Sequence, residues 1–195
     1  MPELPPIVGL KRVLHVGCGV AKPEKLHQTF RNPEWQEVRL DIDPDVKPDI
    51  VANMIAMTPV ADGSMDAVWS SHNLEHLYAH EVPVALSEFF RVLKPGGFVL
   101  ITMPDLQKAA EYIAAGNLEG VLYQSPAGPV TPIDIVFGYR RSIARGNTFM
   151  AHRTGFSADS LKAKLVATGF HRIKVERDGL ALWAGAYKPP EERSI

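Results

Sequence analysis

Hydrophobic positions come in short runs separated by turn residues, and their periods alternate. Val13–Val16 is an apolar run closed by Gly17 and Gly19, the pattern of a buried strand feeding a tight turn. Pro23 suits the first turn of a short helix over Glu24–Phe30. Val38–Leu40, Ile50–Ala52 and Ala67–Trp69 have the length and composition of strands, the last introduced by the turn Asp62-Gly63-Ser64. Apolar residues at Val82, Leu86, Phe89, Phe90 and Leu93 have helical spacing and predict a helix over Glu81–Leu93, stopped by Lys94-Pro95-Gly96-Gly97. Phe98–Met103 is a strongly apolar strand, and Asp105 caps a helix running to about Ala115. Ser157 caps an amphipathic helix through Leu161, Leu165 and Val166 that ends at Gly169. Ile173–Glu176 and Leu180–Tyr187, joined through Asp178-Gly179, form a terminal hairpin. Strands alternating with helices predict a parallel α/β sheet.

Residues 116–155 interrupt this rhythm with Pro126, Pro129 and Pro132 and glycines from Gly116 to Gly146. A long segment without clear periodicity inside a compact domain is usually a lid or a binding segment. Residues 1–10 are proline-rich and expected to be extended. There is no internal repeat and no low-complexity tract.

The 195 residues suit one domain, 1–195, with residues 106–154 as a lid or acceptor-binding insertion. A formal net charge of −1 provides no basic field for a long polyanion, so nucleic acid is not an expected partner. One cysteine, Cys18, excludes an intramolecular disulfide framework and an all-cysteine metal site, and no metal is expected. No apolar run is long enough to span a membrane, and the start lacks the features of a signal peptide. The expectation is a cytoplasmic protein without a membrane partner; the oligomeric state is left open.

Three stretches bear chemistry. In Gly17-Cys18-Gly19, glycine permits positive φ and close approach of the backbone to a ligand; the same residues also suit a plain tight turn. A dinucleotide fingerprint needs a further glycine where this chain has Ala21 and Lys22, which disfavours an NAD-dependent oxidoreductase. Asp41, 22 residues after Gly19 at the end of the second strand, is placed to accept both hydroxyls of a ribose, or else is a solvated turn acid. Asp43 is its neighbour and the expected cap of the turn at Pro44. His72-Asn73-Leu74-Glu75-His76 fits the inverted zinc-peptidase motif H-x-x-E-H: on a helix, His72 and His76 would share a face and hold zinc, with Glu75 as base. That reading needs a third ligand from another element.

Four segments in order resemble a class I S-adenosylmethionine (SAM)-dependent methyltransferase. They are Leu14-His15-Val16-Gly17-Cys18-Gly19, Leu40-Asp41-Ile42-Asp43-Pro44, Ser70-Ser71-His72-Asn73-Leu74-Glu75-His76-Leu77 and Arg91-Val92-Leu93-Lys94-Pro95-Gly96-Gly97. Asp62–Val68 is similar to the family's entry to the fourth strand. Thr102-Met103-Pro104-Asp105-Leu106 is similar to the ending of the fifth strand in one small bacterial subgroup. The resemblance implies a Rossmann-like, seven-stranded, mostly parallel sheet with helices on both faces and a C-terminal antiparallel hairpin. It implies SAM over the strand ends, released as S-adenosylhomocysteine (SAH). Carried over residue by residue, Gly17, Cys18 and Gly19 would pass under the methionine part. Asp41 would bind the ribose, Ile42 would pack on the adenine, and Asn53 and Met54 would read its edge. Ser70, Ser71 and His72 would line the sulfonium end. His15 stands where the family commonly has Asp or Glu near the amino group of SAM, Asn53 where Asp is frequent, and a third glycine is missing.

The expected activity is in-line methyl transfer to a small-molecule or sugar-like acceptor. His72 and His76 are candidate bases, His76 also having a structural role open to it. Asn73, Tyr139, Arg140, His152 and Arg153 are candidate acceptor contacts, with Arg141 and Arg145 nearby; arginines in a lid suit a carboxylate or phosphate. A non-catalytic SAM- or nucleoside-binding module is the alternative, and a zinc hydrolase through residues 72–76 a further one.

Overall fold

The computed structural model describes residues 9–191. Seven strands form one sheet in the order β3-β2-β1-β4-β5-β9-β8. They are β1 (Lys11–Val16), β2 (Trp35–Asp41), β3 (Ile50–Val51), β4 (Met65–Ser71), β5 (Leu93–Pro104), β8 (His171–Asp178) and β9 (Ala181–Tyr187). β1 pairs in parallel with β2 and β4, and β4 with β5, whereas β9 runs antiparallel to both β5 and β8. The chain crosses from one side of β1 to the other between β3 and β4. In an open α/β sheet the crevice beyond the strand ends at such a reversal is where ligands bind.

Alternation along the strands separates two faces. Leu14, Val16, Val68, Val99, Ile101, Leu182 and Ala184 meet Leu86 and Phe89 of α1 (Val82–Val92) and Leu161 and Leu165 of α5 (Ala158–Thr168). Ser157 caps α5 and Gly169 ends it in the left-handed region (φ 102°), as the sequence predicts. Val166, however, points to solvent, because the apolar stripe of α5 is only wide enough for Leu161 and Leu165.

The opposite face has an aromatic layer. Val13, Ala67, Trp69 and Phe30 are buried there with Trp35, Phe98, Leu100 and Trp183 around them. Trp69 stacks on Trp183 at 5.9 Å and Phe30 on Phe98 at 6.0 Å, each ring bringing a large apolar area to the sheet. The α-helix expected over Glu24–Phe30 is absent. Two 3₁₀ turns, Pro23–Lys25 and Gln28–Phe30, take its place. The carbonyls that helical bonds would occupy are taken by side chains: Trp69 Nε1 donates to Lys25 O (2.9 Å), Arg31 Nη2 to Glu24 O (2.7 Å) and Arg31 Nε to Leu26 O (2.5 Å). Packing of Phe30 and Trp69 thus overrides a weak local helix preference.

Residues 106–154 carry their own elements. α2 (Leu106–Ala114) is capped by Asp105, and a ribbon of β6 (Tyr123–Ser125) and β7 (Gly128–Val130) leads into α3 (Pro132–Phe137) and α4 (Arg140–Ile143). Ala109, Val130 and Ile135 form a small core of their own. Backbone bonds return the segment to the sheet domain. Arg153 N and Thr154 N donate to Glu75 O at 2.8 and 3.2 Å, and Leu106 N to Phe156 O at 3.0 Å. Among the described residues no helix is long and apolar enough to cross a membrane.

The connection from β3 to β4 has no helix and depends on one side chain of α1. Arg91 donates to Val60 O (2.8 Å), Met57 O (3.0 Å) and Glu88 Oε1 (2.6 Å) and pairs with Asp62, while Met57 N donates to Glu88 Oε2 (2.6 Å). The hydrogen bonds and charge of Glu88 and Asp62 hold the Arg91 guanidinium well above its ordinary pKa, so the cation is permanent. Replacing Arg91 with Ala should lower stability by about 2–3 kcal/mol, since hydrogen bonds to charged groups are lost and buried carbonyls left bare; urea unfolding of both forms measures it.

Candidate functional site

A cavity of about 980 Å³ opens over the carboxyl ends of β1, β2, β4 and β5. Its lining includes Asp41, Ile42, Asn53 and Met54 at or after the ends of β2 and β3, His15, Gly17 and Gly19 around the end of β1, Ser71, His72, Asn73 and His76 at and after the end of β4, and Thr102 and Arg153. All these positions follow from register. His15, Arg39, Trp69 and Leu100 lie side by side across β1, β2, β4 and β5, so the strands end together and their following loops face one crevice.

The glycine turn is bound to β2. Gly17 N and Cys18 N donate to Leu40 O at 2.8 and 3.2 Å, and Gly19 N donates to Asp41 Oδ2 at 2.7 Å. Its amides therefore point at the protein. Gly17 and Gly19 have φ of 65° and 58°, the left-handed region that glycine enters without strain. A Cβ at Gly17 would collide with the Asn73 side-chain amide. Asn73 in turn donates through Nδ2 to Val16 O (2.9 Å), Ser71 O (3.0 Å) and Ser70 Oγ (3.3 Å), locking the end of β1 to the end of β4. Gly17 lines the cavity, and the space that its missing Cβ leaves is taken by the Asn73 side chain.

Asp41 is nearly buried, with Oδ1 accepting from Asp43 N at 3.0 Å. Each carboxylate oxygen keeps further lone-pair capacity. Asp43 caps the turn at Pro44 by accepting from Asp45 N (2.9 Å). Asn53 Oδ1 accepts from Ile55 N at 3.2 Å, and Ile42 is half exposed at the cavity edge. His15 is buried and its Nδ1 lies 2.6 Å from Glu37 Oε1 on β2. Glu37 thus puts a carboxylate beside His15, a residue that sequence reading missed. Its odd-numbered position on β2, one with Trp35 and Arg39, was the available signal.

Cys18 and Ser70 are buried and do not line the cavity. Burial pushes the Cys18 thiol up to about 11, which leaves it a packing group. Thr102 Oγ1 is buried without a partner and its residue lines the cavity.

A second cavity, about 500 Å³, adjoins the first. His72, His76, Met150 and Ala181 line both, and Tyr139, His152, Asp134 and Tyr123 line the second. Tyr139 donates to Ala127 O (2.6 Å). Arg140 faces neither cavity: it pairs with Asp134 at 3.0 Å and Glu119 at 3.3 Å and so holds the 106–154 segment together. Arg153 lies over the Tyr78 ring at 4.8 Å.

His72 and His76 do not share a helix face. His72 precedes a 3₁₀ turn, Leu74–His76, with φ of 54°, its N donating to Thr102 O at 2.8 Å. His76 Nδ1 lies 3.1 Å from Ala151 O, and His152 Nδ1 lies 2.8 Å from Ile135 O. Burial pushes the Glu75 carboxyl up, but the imidazoles of His72 and His76 outweigh this and hold it below the usual carboxylate range. Burial holds His152 below the usual imidazole pKa, so its neutral form is favoured.

Comparison with known proteins agrees with this geometry. Residues 14–101 match a family model described as a methyltransferase domain. The malonyl-[acyl-carrier protein] O-methyltransferase of Dechloromonas aromatica is 31% identical over 107 residues, covering 52% of this chain and 38% of the relative. The methyltransferase GfsG of Streptomyces halstedii is 26% identical over 136 residues, covering 63% and 48%. The chain spans less than half the length of these curated relatives. A SAM-dependent methyltransferase structure from Archaeoglobus fulgidus superimposes with a TM-score of 0.58 at 16% identity, over 92% of this chain and 87% of that one. Residues 14–101 thus match the methyltransferase-domain model, and the described chain has the Rossmann-like fold of SAM-dependent methyltransferase structures.

Gly17→Ala should destabilise the fold by about 1–2 kcal/mol from the left-handed backbone alone, with more from the clash with Asn73. Thermal unfolding without ligand measures this, and an unchanged melting temperature would contradict the packing role.

Proposed function

We propose that the chain is a SAM-dependent methyltransferase that uses the 980 Å³ cavity for SAM and the adjoining cavity for a small acceptor. The observation that carries this reading is the donor set in the lining of the larger cavity. A carboxylate with spare lone pairs (Asp41), an apolar shelf (Ile42, Met54) and an amide (Asn53) stand where a ribose and an adenine would need them. The cavity volume falls in the range of small-molecule and cofactor sites. Thr102 Oγ1, without a partner among the described residues, is a further polar group of a lining residue. These residues fit SAM.

Bound there, SAM supplies an electrophilic methyl group on a sulfonium. The protein's task is to position, to exclude water and to place charge. Asp41 accepts the ribose hydroxyls and is held in place by Gly19 N and Asp43 N. Asn53, with Oδ1 on Ile55 N, keeps its amide nitrogen for the adenine edge. The His15–Glu37 pair sets the charge at the amino-acid end. His72 and His76 line both cavities, so they stand on the shared wall across which a methyl group would pass. Tyr139, His152 and residues 106–154 around them enclose the acceptor. An acceptor that fits this space is a small molecule with an oxygen or nitrogen nucleophile. The chain has neither the basic field that nucleic acid needs nor a membrane-crossing helix among its described residues.

Titration calorimetry with SAH and with NAD tests the cofactor. SAH should bind and NAD should not. Asp41→Asn, which retains an oxygen for Gly19 N, should weaken SAH binding by about 1–3 kcal/mol, about 5- to 150-fold. Equal affinity in that variant would remove the ribose assignment. SAM binding with no turnover across an acceptor screen would instead favour a binding module.

A further inference from the structure

The Glu75 carboxylate is a buried charge with an incomplete set of partners. The residue is 2% exposed, and neither Oε1 nor Oε2 has a well-formed hydrogen bond. His72 Nδ1 stands 3.3 Å from Oε1, but this side chain is more than half exposed at the cavity rim. A buried carboxylate of this kind is costly unless it is paired or binds a cation.

Two imidazoles are aimed at it. Donor atoms of Glu75, His76 and His152 all lie within 4.8 Å of one another. In both histidines Nδ1 is turned to a backbone carbonyl, Ala151 O for His76 and Ile135 O for His152. A carbonyl on Nδ1 makes that nitrogen the N–H donor and leaves Nε2 with a free lone pair. This is the outer-shell arrangement that orients metal-ligating histidines. The three ligands come from two distant stretches, which Arg153 N and Thr154 N pin together at Glu75 O. The H-x-x-E-H reading of the sequence made Glu75 a base and lacked its third ligand. In the fold Glu75 is itself a candidate ligand, and the missing residue is His152.

We infer that Glu75, His76 and His152 bind a divalent first-row transition ion, of which Zn²⁺ is the test case, at the wall between the two cavities. Two imidazoles and one carboxylate suit such an ion better than Mg²⁺ or Ca²⁺, which take oxygen ligands. Metal–ligand bonds of about 2.0–2.2 Å require the donors to close in by roughly an ångström from their present spacing. Three protein ligands leave an open position, and His76 lines both cavities. The site stands on this geometry; its use rests on the methyltransferase reading. On that reading, an acceptor hydroxyl held at the open position gives its proton to His72 and thence to water. The electron pair of the broken O–H bond stays on oxygen and forms the new bond to the methyl carbon, and the carbon–sulfur pair stays on sulfur.

The test is calorimetric titration of the full chain, stripped with EDTA and dialysed, with Zn²⁺ alone. Co²⁺ absorption provides a spectroscopic check on the ligands, and SAH affinity is measured on the same samples. One equivalent of Zn²⁺ should bind with a micromolar or tighter Kd. His152→Ala and Glu75→Gln should each weaken it at least 100-fold. His152→Ala should keep its SAH affinity within a few-fold, because His152 lies outside the larger cavity. If Glu75→Gln fails to fold, His152→Ala alone decides. No stoichiometric Zn²⁺ binding in a chain that binds SAH would overturn the site, as would equal Zn²⁺ affinity in wild type and His152→Ala. Zn²⁺ binding without SAH binding would leave the site standing and overturn the methyltransferase reading instead.

Discussion

Taking one carboxylate, that of Glu75, out of water costs several kcal/mol unless cations or hydrogen-bond donors surround it. Much of the site is arranged around that cost. The left-handed turn at His72 brings its imidazole to the rim of the carboxylate, and the following 3₁₀ turn carries His76 to it. The Glu75 carbonyl accepts two amides from residues 153 and 154, which sets His152 opposite. The segment that encloses the second cavity is therefore anchored at the residue whose charge most needs partners. Loss of that anchor would expose the buried charge and open the second cavity together.

The two faces of the sheet solve burial differently. One uses two amphipathic helices, α1 and α5, in the ordinary way of an α/β fold. The other uses large rings, with Trp69, Trp183, Phe30, Phe98 and Trp35 packed over β1, β4, β5 and β9. The stretch from Gly17 to Glu34 is thereby freed from helical geometry. Its carbonyls serve Trp69 and Arg31, and its glycine turn is drawn against Leu40 and Asp41 of β2. The crevice above the strand ends is shaped by this tight turn and by Asn73, which fills the space that glycine leaves at Gly17.

Much of the fold was legible along the chain. Apolar runs at Val13–Val16 and Phe98–Met103, the 3.6-residue spacing in α1, the caps at Asp105 and Ser157 and the Asp178-Gly179 turn all appear as expected. These signals are local: period, cap and turn chemistry act within a few residues. Asp41, Ile42, Asn53 and Met54 all line the larger cavity, each at or just past a strand end that the pattern marks. The short helix over Glu24–Phe30 was not decided locally, since the donors that capture its carbonyls sit on Arg31 and, far away, on Trp69.

The sequence by itself determined the strands of the main sheet, the helices α1, α2 and α5, the glycine turn, and the acid at the end of the second strand, because neighbouring residues dictate these. Only the tertiary structure decided that Gly17 faces Asn73, that Glu37 lies under His15, and that Arg140 binds Asp134 instead of facing a cavity. It alone brought His152 across 76 residues to His76. The physical reason is the same in each case. Contacts between residues far apart in the chain depend on sheet register and on the closing of long loops, and neither is written in any local period.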